Sequence, residues 1–195
     1  MNNLQEAEME DLTITTQLQD VIHNNEIYLY SDINSSVALS LNKSLNIAEK
    51  NCLLIKSEFG LAEAPPIRLY INSEGGELFP ALTVVDRMKN LKVPIHTYVE
   101  GMVASAATLI SVSGTKRFMR KNAIMLIHQI RSFHGGTHEN MKDEAKNLDV
   151  MSDIINKIYL DNSGFEVEEL ESLMKRDLYL DCNKCVEYKM IDTII

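Results

Sequence analysis

A serine and a histidine at the ends of two consecutive apolar segments are the side chains best suited to chemistry in this sequence. Ser105 follows a glycine turn in GMVASAA and is predicted in the first turn of a helix, with little side-chain cover. A helix N-terminus offers free N–H groups and a positive dipole end, which suit an oxyanion beside the serine oxygen. His128 follows the apolar AIMLI segment. The pair indicates nucleophilic acyl chemistry. The alternative is that Ser105 is a helix cap and His128 a partly buried polar residue.

A glycine pair and an acid would complete such a site. Gly75 and Gly76 in SEGG lack the lysine and the spacing of a phosphate loop, so we interpret them as backbone that approaches a substrate and presents an N–H. A plain turn remains the alternative. Spacing alone does not choose the acid among the aspartates of the C-terminal half, which are Asp143, Asp149, Asp153, Asp161, Asp177, Asp181 and Asp192.

The elements that must position these residues are short apolar strands alternating with amphipathic helices. Strands are predicted at 26–30, 67–72, 93–99, 116–119 and 123–127, and helices at about 35–51, 78–90, 104–112, 138–160, 167–175 and 182–188. A sharp turn is predicted at 100–101. Because parallel neighbours need a helical crossover, this order predicts an α/β fold with mainly parallel strands. Catalytic groups then gather at the carboxyl ends of the strands.

Length and charge exclude several classes of function. The chain has 195 residues and a net charge of −9, which would repel phosphate, so neither nucleic acid nor a membrane is an expected partner. No apolar run reaches the roughly 18 residues of a membrane span, and the N-terminus is acidic. We therefore expect a cytoplasmic protein with a flexible segment at 1–20 and one domain at 21–195. Cys182 and Cys185 lack a second ligand pair, so we interpret them as helix cysteines and expect no metal site.

Three motifs in order resemble the ClpP family, the proteolytic subunits of ATP-dependent Clp proteases. They are INSEGG, EGMVASAATL and KRFMRKNAIMLIHQI, followed by a similar C-terminal segment, KRDLYLDCNKCVEYKMIDTII. The likeness runs from about Glu26 to the C-terminus. It implies the crotonase-like ClpP fold, in which ββα units repeat and a handle helix protrudes. The predicted helix at 138–160 matches that handle.

The resemblance also implies roles for individual residues. It makes Ser105 the nucleophile, His128 the general base and Asp177 of the RD pair the acid, with the backbone N–H groups of Gly76 and Ala106 as the oxyanion hole. The implied activity is that of a serine endopeptidase that hydrolyses peptide bonds in proteins inside an oligomeric chamber. No cofactor is implied, since ATP would be used only by a partner ATPase.

The implied partners are further copies of the chain, as heptameric rings stacked into a tetradecamer, protein or peptide substrates, and a Clp-type AAA+ unfoldase. The unfoldase docking surface diverges at Arg68, Asn90 and Arg120, where the family has aromatic or aliphatic residues. The charges of Arg68 and Arg120 make burial of an apolar loop costly. Two other functions stay open. One is a non-catalytic ClpP-like ring subunit, and the other is a crotonase-type acyl-CoA enzyme that would not need the triad.

Overall fold

The sheet and helices are those of a computed structural model that describes residues 25–195. The expectation for residues 1–20 lies outside this part of the chain. In chain order the elements are β1 (Glu26–Leu29), α1 (Ser35–Glu58), β2 (Ile67–Ser73), α2 (Leu78–Lys89), β3 (Ile95–Ala104), α3 (Ala106–Val112), β4 (Lys116–Met119), β5 (Ile124–Leu126), α4 (His138–Asn162), α5 (Val167–Met174), β6 (Tyr179–Leu180), α6 (Cys182–Glu187) and β7 (Thr193–Ile194).

The sheet has seven strands, and all its pairings are parallel except that of β5 with β6. Strands β1, β2, β3, β4 and β7 lie in that order, and β5 pairs with β3 beyond the end of β4. The predicted α/β architecture is confirmed. Strand β3 is long enough to pair first with β4 and then with β5, so its carboxyl end lies beside that of β5.

The predicted turn at 100–101 is wrong, because β3 continues to Ala104. Gly101 adopts a φ of 56°, and the register with β2 shifts between Ile71 and Ser73. The side chain of Asn72 fills the irregularity by accepting a hydrogen bond from Met102 N–H at 3.1 Å. Gly101 therefore lies at a bulge, through which the strand stays paired, and it does not mark the end of the strand.

Helix α1 is longer than predicted. It begins after Asn34, whose side chain accepts a hydrogen bond from Val37 N–H, and it continues seven residues beyond the predicted end at 51. One face of this helix is apolar and buried, and it consists of Val37, Leu41, Leu45 and Ala48. A side-chain oxygen at the N-cap satisfies one of the free N–H groups of the first turn.

The two faces of the sheet differ in what they carry. Residues such as Ile27, Leu69 and Val99 are fully buried under the helices. Four half-buried aromatic residues stand in register on the other face, with ring centroids 4.7 to 4.8 Å apart: Tyr28, Tyr70, Tyr98 and Phe118. Ring stacking of this kind adds to the cross-strand stabilisation.

The long helix α4 contacts the body of the protein through its C-terminal half. Its buried residues are Ile155, Ile158 and Tyr159, and the side chains over 138–150 are exposed or half-exposed. A capping box between Thr137 and Asn140 begins the helix. Within residues 25–195, no helix is both long and apolar enough to cross a membrane.

Candidate active site

Ser105 occupies the turn between β3 and α3 in a strained backbone conformation. It is the N-cap residue of α3, with φ 55° and ψ −129°. Its N–H donates to the carbonyl oxygen of Leu126 on β5 at 2.9 Å, and its own carbonyl accepts from Thr108 N–H at 3.0 Å. A residue other than glycine in such a conformation costs about 1–3 kcal/mol and persists only where its surroundings hold it. The fold therefore fixes the position of Ser105 at the end of the strand.

Gly75 and Gly76 form a second tight approach at the same end of the sheet, with φ values of 102° and 137°. A Cβ on Gly75 would lie 2.7 Å from Ser105 Cβ, and one on Gly76 would lie 2.2 Å from the carbonyl oxygen of Ile33. The carbonyl of Gly75 and the N–H of Glu77 both bond to Ile33, at 2.6 and 2.8 Å. The N–H of Gly76 lies between these two bonds and has no hydrogen-bond partner among residues 25–195. It is a free donor.

His128 follows β5 and is half-buried. It lines a pocket of about 400 Å³ together with Ser105, Gly76 and Ala106. The N–H of Ala106 belongs to the first turn of α3, whose N–H groups lack partners within the helix. The structure therefore brings four of the five predicted site residues to one pocket. The Nδ1 atom of His128 is buried and has no hydrogen-bond partner among the described residues.

Asp177 lies outside that pocket. It follows α5, and its Oδ2 atom lies 2.5 Å from Nη2 of Arg131 in an ion pair. The side chains of Arg131 and Asp177 are 61% and 58% exposed. None of the aspartates considered from the sequence bonds to Nδ1 of His128, since that atom has no partner within residues 25–195. The serine, the histidine and the acid are thus not joined in one hydrogen-bonded chain in this structure.

Several pocket residues could not be singled out from the sequence. The apolar wall is formed by Leu78, Leu109, Ile130, Ile155 and Tyr159, and Arg131 contributes a cation at the edge. Ile155 and Tyr159 are one turn apart within the helix predicted at 138–160, and this spacing, which puts two apolar residues on one face, was the available signal for them. The only sequence feature that could have pointed to Arg131 was its position as a charged residue soon after His128.

The two cysteines of the CxxC sequence belong to the core. Cys182 and Cys185 are 7% and 0% exposed on α6, and neither forms a disulfide. Burial raises the pKa of Cys185 to about 12, so its thiol stays protonated at neutral pH. Within residues 25–195, no cluster of His, Cys, Asp and Glu side chains could hold a metal ion.

The divergent positions of the aromatic face carry paired charges. Arg68 lies 3.0 Å from Glu26, and Arg120 lies 2.9 Å from Glu100. Both ion pairs flank the row of stacked rings. Asn90 is the C-cap of α2 and donates through its side chain to the carbonyl of Asp86 at 2.8 Å. The two arginines are therefore neutralised locally and are not free cations.

Comparison with known proteins identifies the class of this fold and then the family. The structure of a ClpP1 mutant from Listeria monocytogenes superposes with a TM-score of 0.75 over 88% of this chain and 91% of that one, at 26% identity. The chain thus has the ClpP fold, and it belongs to the class of serine endopeptidases that share this fold. The Clp protease family profile matches residues 8–195, and the chain belongs to the Clp protease family.

Two relatives give the scale of the similarity. The chain is 39% identical over 133 residues to the ATP-dependent Clp protease proteolytic subunit of Streptococcus uberis, covering 66% of this chain and 68% of that protein. It is 30% identical over 179 residues to the ATP-dependent Clp protease proteolytic subunit 2 of Treponema denticola, covering 91% and 84%. The family resemblance inferred from the motifs is confirmed.

Proposed function

We propose that this protein hydrolyses peptide bonds in proteins through a triad of Ser105, His128 and Asp177. The observation that carries the proposal is that Ser105, held in a strained turn, shares one pocket with His128, Gly76 and Ala106. The backbone N–H groups of Gly76 and Ala106 have no hydrogen-bond partner within residues 25–195. A nucleophile, a base and paired backbone donors are the parts that acyl transfer requires.

The chemistry assigned to each group follows from its position. The Ser105 hydroxyl oxygen attacks the peptide carbonyl while His128 accepts its proton, and His128 then gives that proton to the leaving amine. In deacylation the oxygen of a water molecule attacks the acyl carbonyl while His128 takes a proton from that water, and His128 then returns the proton to the departing Ser105 oxygen. The N–H groups of Gly76 and Ala106 stabilise the oxyanion, and loss of one such donor typically costs about 2.7–4 kcal/mol. No cofactor takes part in the proposed reaction.

Asp177 takes the role of orienting the His128 ring, which requires its carboxylate to leave Arg131. The Nδ1 atom of His128 has no partner among residues 25–195, and such a carboxylate would accept a hydrogen bond from it. An exposed ion pair contributes about 0–1 kcal/mol to stability. Breaking the contact of Asp177 with Arg131, so that Asp177 can bind His128, therefore costs little free energy. The described arrangement is therefore a resting state in this proposal.

The hydrolytic sites face a chamber formed by heptameric rings stacked as a tetradecamer in the cytoplasm. Support comes from large apolar side chains that are exposed in the single chain on α1 and α4: Leu39, Ile47, Leu54, Met141, Val150 and Ile154. Assembly would bury such surface. Native mass spectrometry measures the stoichiometry directly, and a monomer at micromolar concentration contradicts this part of the proposal.

A Clp-type AAA+ unfoldase is the partner that would use ATP. Its apolar docking loops would meet the aromatic row with its two flanking ion pairs, Arg68 with Glu26 and Arg120 with Glu100. Burial of these charges is costly, so we expect weak stimulation by a standard unfoldase. Normal ATP-dependent stimulation of protein degradation would contradict this expectation.

The decisive experiment uses a fluorophosphonate probe on the full chain. We expect stoichiometric labelling that is lost in Ser105→Ala and retained in Ser113→Ala, a matched change at the other end of α3. The probe phosphonylates only an activated serine, whose oxygen attacks phosphorus as fluoride leaves. Retained labelling in Ser105→Ala would therefore contradict the assignment of the nucleophile.

A second candidate function is a non-catalytic ring subunit. Two observations favour it: Nδ1 of His128 has no hydrogen-bond partner in the described range 25–195, and Asp177 is paired with Arg131. The same probe separates the two. An assembled particle that is not labelled and does not cleave peptides supports the structural role.

A further inference from the structure

A chain of buried hydrogen bonds connects the long helix α4 to the turn that carries Ser105. Tyr159 Oη lies 2.5 Å from Thr108 Oγ1, and Thr108 Oγ1 lies 2.6 Å from the carbonyl oxygen of Ser105. Thr108 is 0% and Tyr159 is 2% exposed. Because both side chains are buried, neither hydroxyl can exchange its partner for bulk water.

The hydrogen bonds in this series can be donated in only one direction. A carbonyl oxygen only accepts, so the single hydroxyl proton of Thr108 points to Ser105. Thr108 Oγ1 must then accept from Tyr159. Burial raises the pKa of Tyr159 above its ordinary value, which keeps the phenol protonated as a donor. Donation therefore runs from Tyr159 to Thr108 to Ser105.

The Ser105 carbonyl, which these hydrogen bonds hold, belongs to the same peptide group as a candidate oxyanion donor, the Ala106 N–H. The C=O of Ser105 and the N–H of Ala106 belong to the same planar peptide group, so the direction of one determines the direction of the other. Two donors fix that carbonyl, namely the N–H of Thr108 at 3.0 Å and its hydroxyl at 2.6 Å. An oxyanion donor must reach about 2.7–3.1 Å from the developing charge, so its direction is critical.

We propose that Thr108 and Tyr159 are positioning residues, which orient the peptide group between Ser105 and Ala106 and thereby aim the Ala106 N–H at the oxyanion. The inference rests on the proposed function, since it assumes that Ala106 donates to the oxyanion. It also makes the C-terminal half of α4 part of the support of the nucleophile. Neither side chain touches the reacting atoms.

The experiment compares hydroxyl removal with hydroxyl retention at position 108. Thr108→Val keeps the shape and removes the hydroxyl, whereas Thr108→Ser keeps the hydroxyl. Ser111→Ala is the matched control, because Ser111 is a buried hydroxyl on the same helix and its Oγ has no hydrogen-bond partner among the described residues. The readouts are the maximal rate and the half-saturating concentration of fluorophosphonate labelling, with the denaturation midpoint measured alongside.

We expect Thr108→Val to lower the maximal labelling rate about tenfold with little change in half-saturation, while Thr108→Ser and Ser111→Ala stay close to wild type. Thr108→Val also leaves the Tyr159 hydroxyl buried without its partner and lowers stability. Adding Tyr159→Phe removes that hydroxyl and restores stability but not the labelling rate.

Each outcome bears on a different statement. Normal labelling of Thr108→Val, or recovery of both rate and stability in the double variant, overturns the positioning role while the peptidase assignment stands. If wild type itself is not labelled, the proposed function fails and this inference fails with it.

Discussion

Arg131 Nη2 lies 2.5 Å from Asp177 Oδ2, and this ion pair holds the candidate acid of the triad outside the pocket that contains Ser105 and His128. The carboxylate that would orient the imidazole is bound to a cation three residues after the histidine. At the same time His128 Nδ1 is buried without a hydrogen-bond partner among residues 25–195. In the proposed triad, Arg131 and His128 would compete for this one carboxylate, and the competition would lower the activity of the resting chain.

Removal of the competing cation is predicted to raise activity. In Arg131→Ala the Asp177 carboxylate loses its partner and is free for His128, so cleavage of a short peptide should accelerate by up to about fivefold, the value of an exposed ion pair. Arg176→Ala, which removes a neighbouring charge, is the control. Salt screens the same pair, so part of the gain should appear in wild type at high ionic strength. A slower Arg131→Ala enzyme would show that Arg131 assists catalysis.

Replacement of the acid itself is predicted to have a large and specific effect. Asp177→Asn cannot stabilise the charged imidazole, and loss of the acid in Ser-His-Asp enzymes lowers kcat by up to about 10⁴-fold. Asp153→Asn on α4 changes an exposed carboxylate considered from the sequence and should leave kcat unchanged. The measurement is steady-state cleavage of a peptide ester and a peptide amide. Equal activity of Asp177→Asn and wild type would remove Asp177 from the triad.

The sequence predicts those parts of the site that lie at the carboxyl end of a single strand. Ser105, His128 and Gly76 each follow a strand directly, so the strand order alone brings them together. Asp177 differs, because the partner of its carboxylate depends on the course of the irregular segment between β5 and α4, which carries Arg131.

Two other features needed contacts between distant residues. The continuation of β3 through Gly101 depends on the Asn72 side chain, which accepts the N–H of Met102 from the neighbouring strand. The bond between Thr108 and Tyr159 spans 51 residues, and its existence depends on how α4 packs against α3. Helical periodicity places Tyr159 on an apolar face, but it does not identify the hydroxyl that Tyr159 contacts.

Substitution of Gly76 is predicted to lower stability and to abolish reactivity with the probe. A Cβ at this position would lie 2.2 Å from the carbonyl oxygen of Ile33, and its φ of 137° is unfavourable for any other residue. We expect Gly76→Ala to lower the free energy of unfolding by at least about 2 kcal/mol and to eliminate probe labelling. Gly60→Ala is the matched control, because Gly60 also has a positive φ of 61° but no atom lies within 4 Å of its Cβ position. It should cost only about 1 kcal/mol and leave labelling intact.

The ion pair between Arg117 and Asp192 is predicted to make stability depend on pH. Burial raises the pKa of Asp192, but hydrogen bonds from the Arg117 side chain and backbone, together with its charge, outweigh burial and hold that pKa below its ordinary value. Arg117 Nη2 lies 2.5 Å from Asp192 Oδ1, and Arg117 Nε lies 3.1 Å from Oδ2, so the contact joins the end of the chain to β4. A depressed carboxyl pKa contributes stability above the unfolded value of about 3.9, and that contribution is lost as the pH falls through the folded pKa.

Asp192→Asn should therefore be less stable than wild type at pH 7, by at most about 1 kcal/mol because the carboxylate is partly exposed. The difference should shrink as the pH falls below about 4, where wild type also loses the charge. Urea denaturation at pH 7 and at successively lower pH measures both variants. Asp149→Asn, which changes an exposed carboxylate on α4, controls for the loss of one negative charge. A difference that is the same at every pH would show that the carboxylate acts by packing or by neutral hydrogen bonding and that the ion pair contributes nothing measurable.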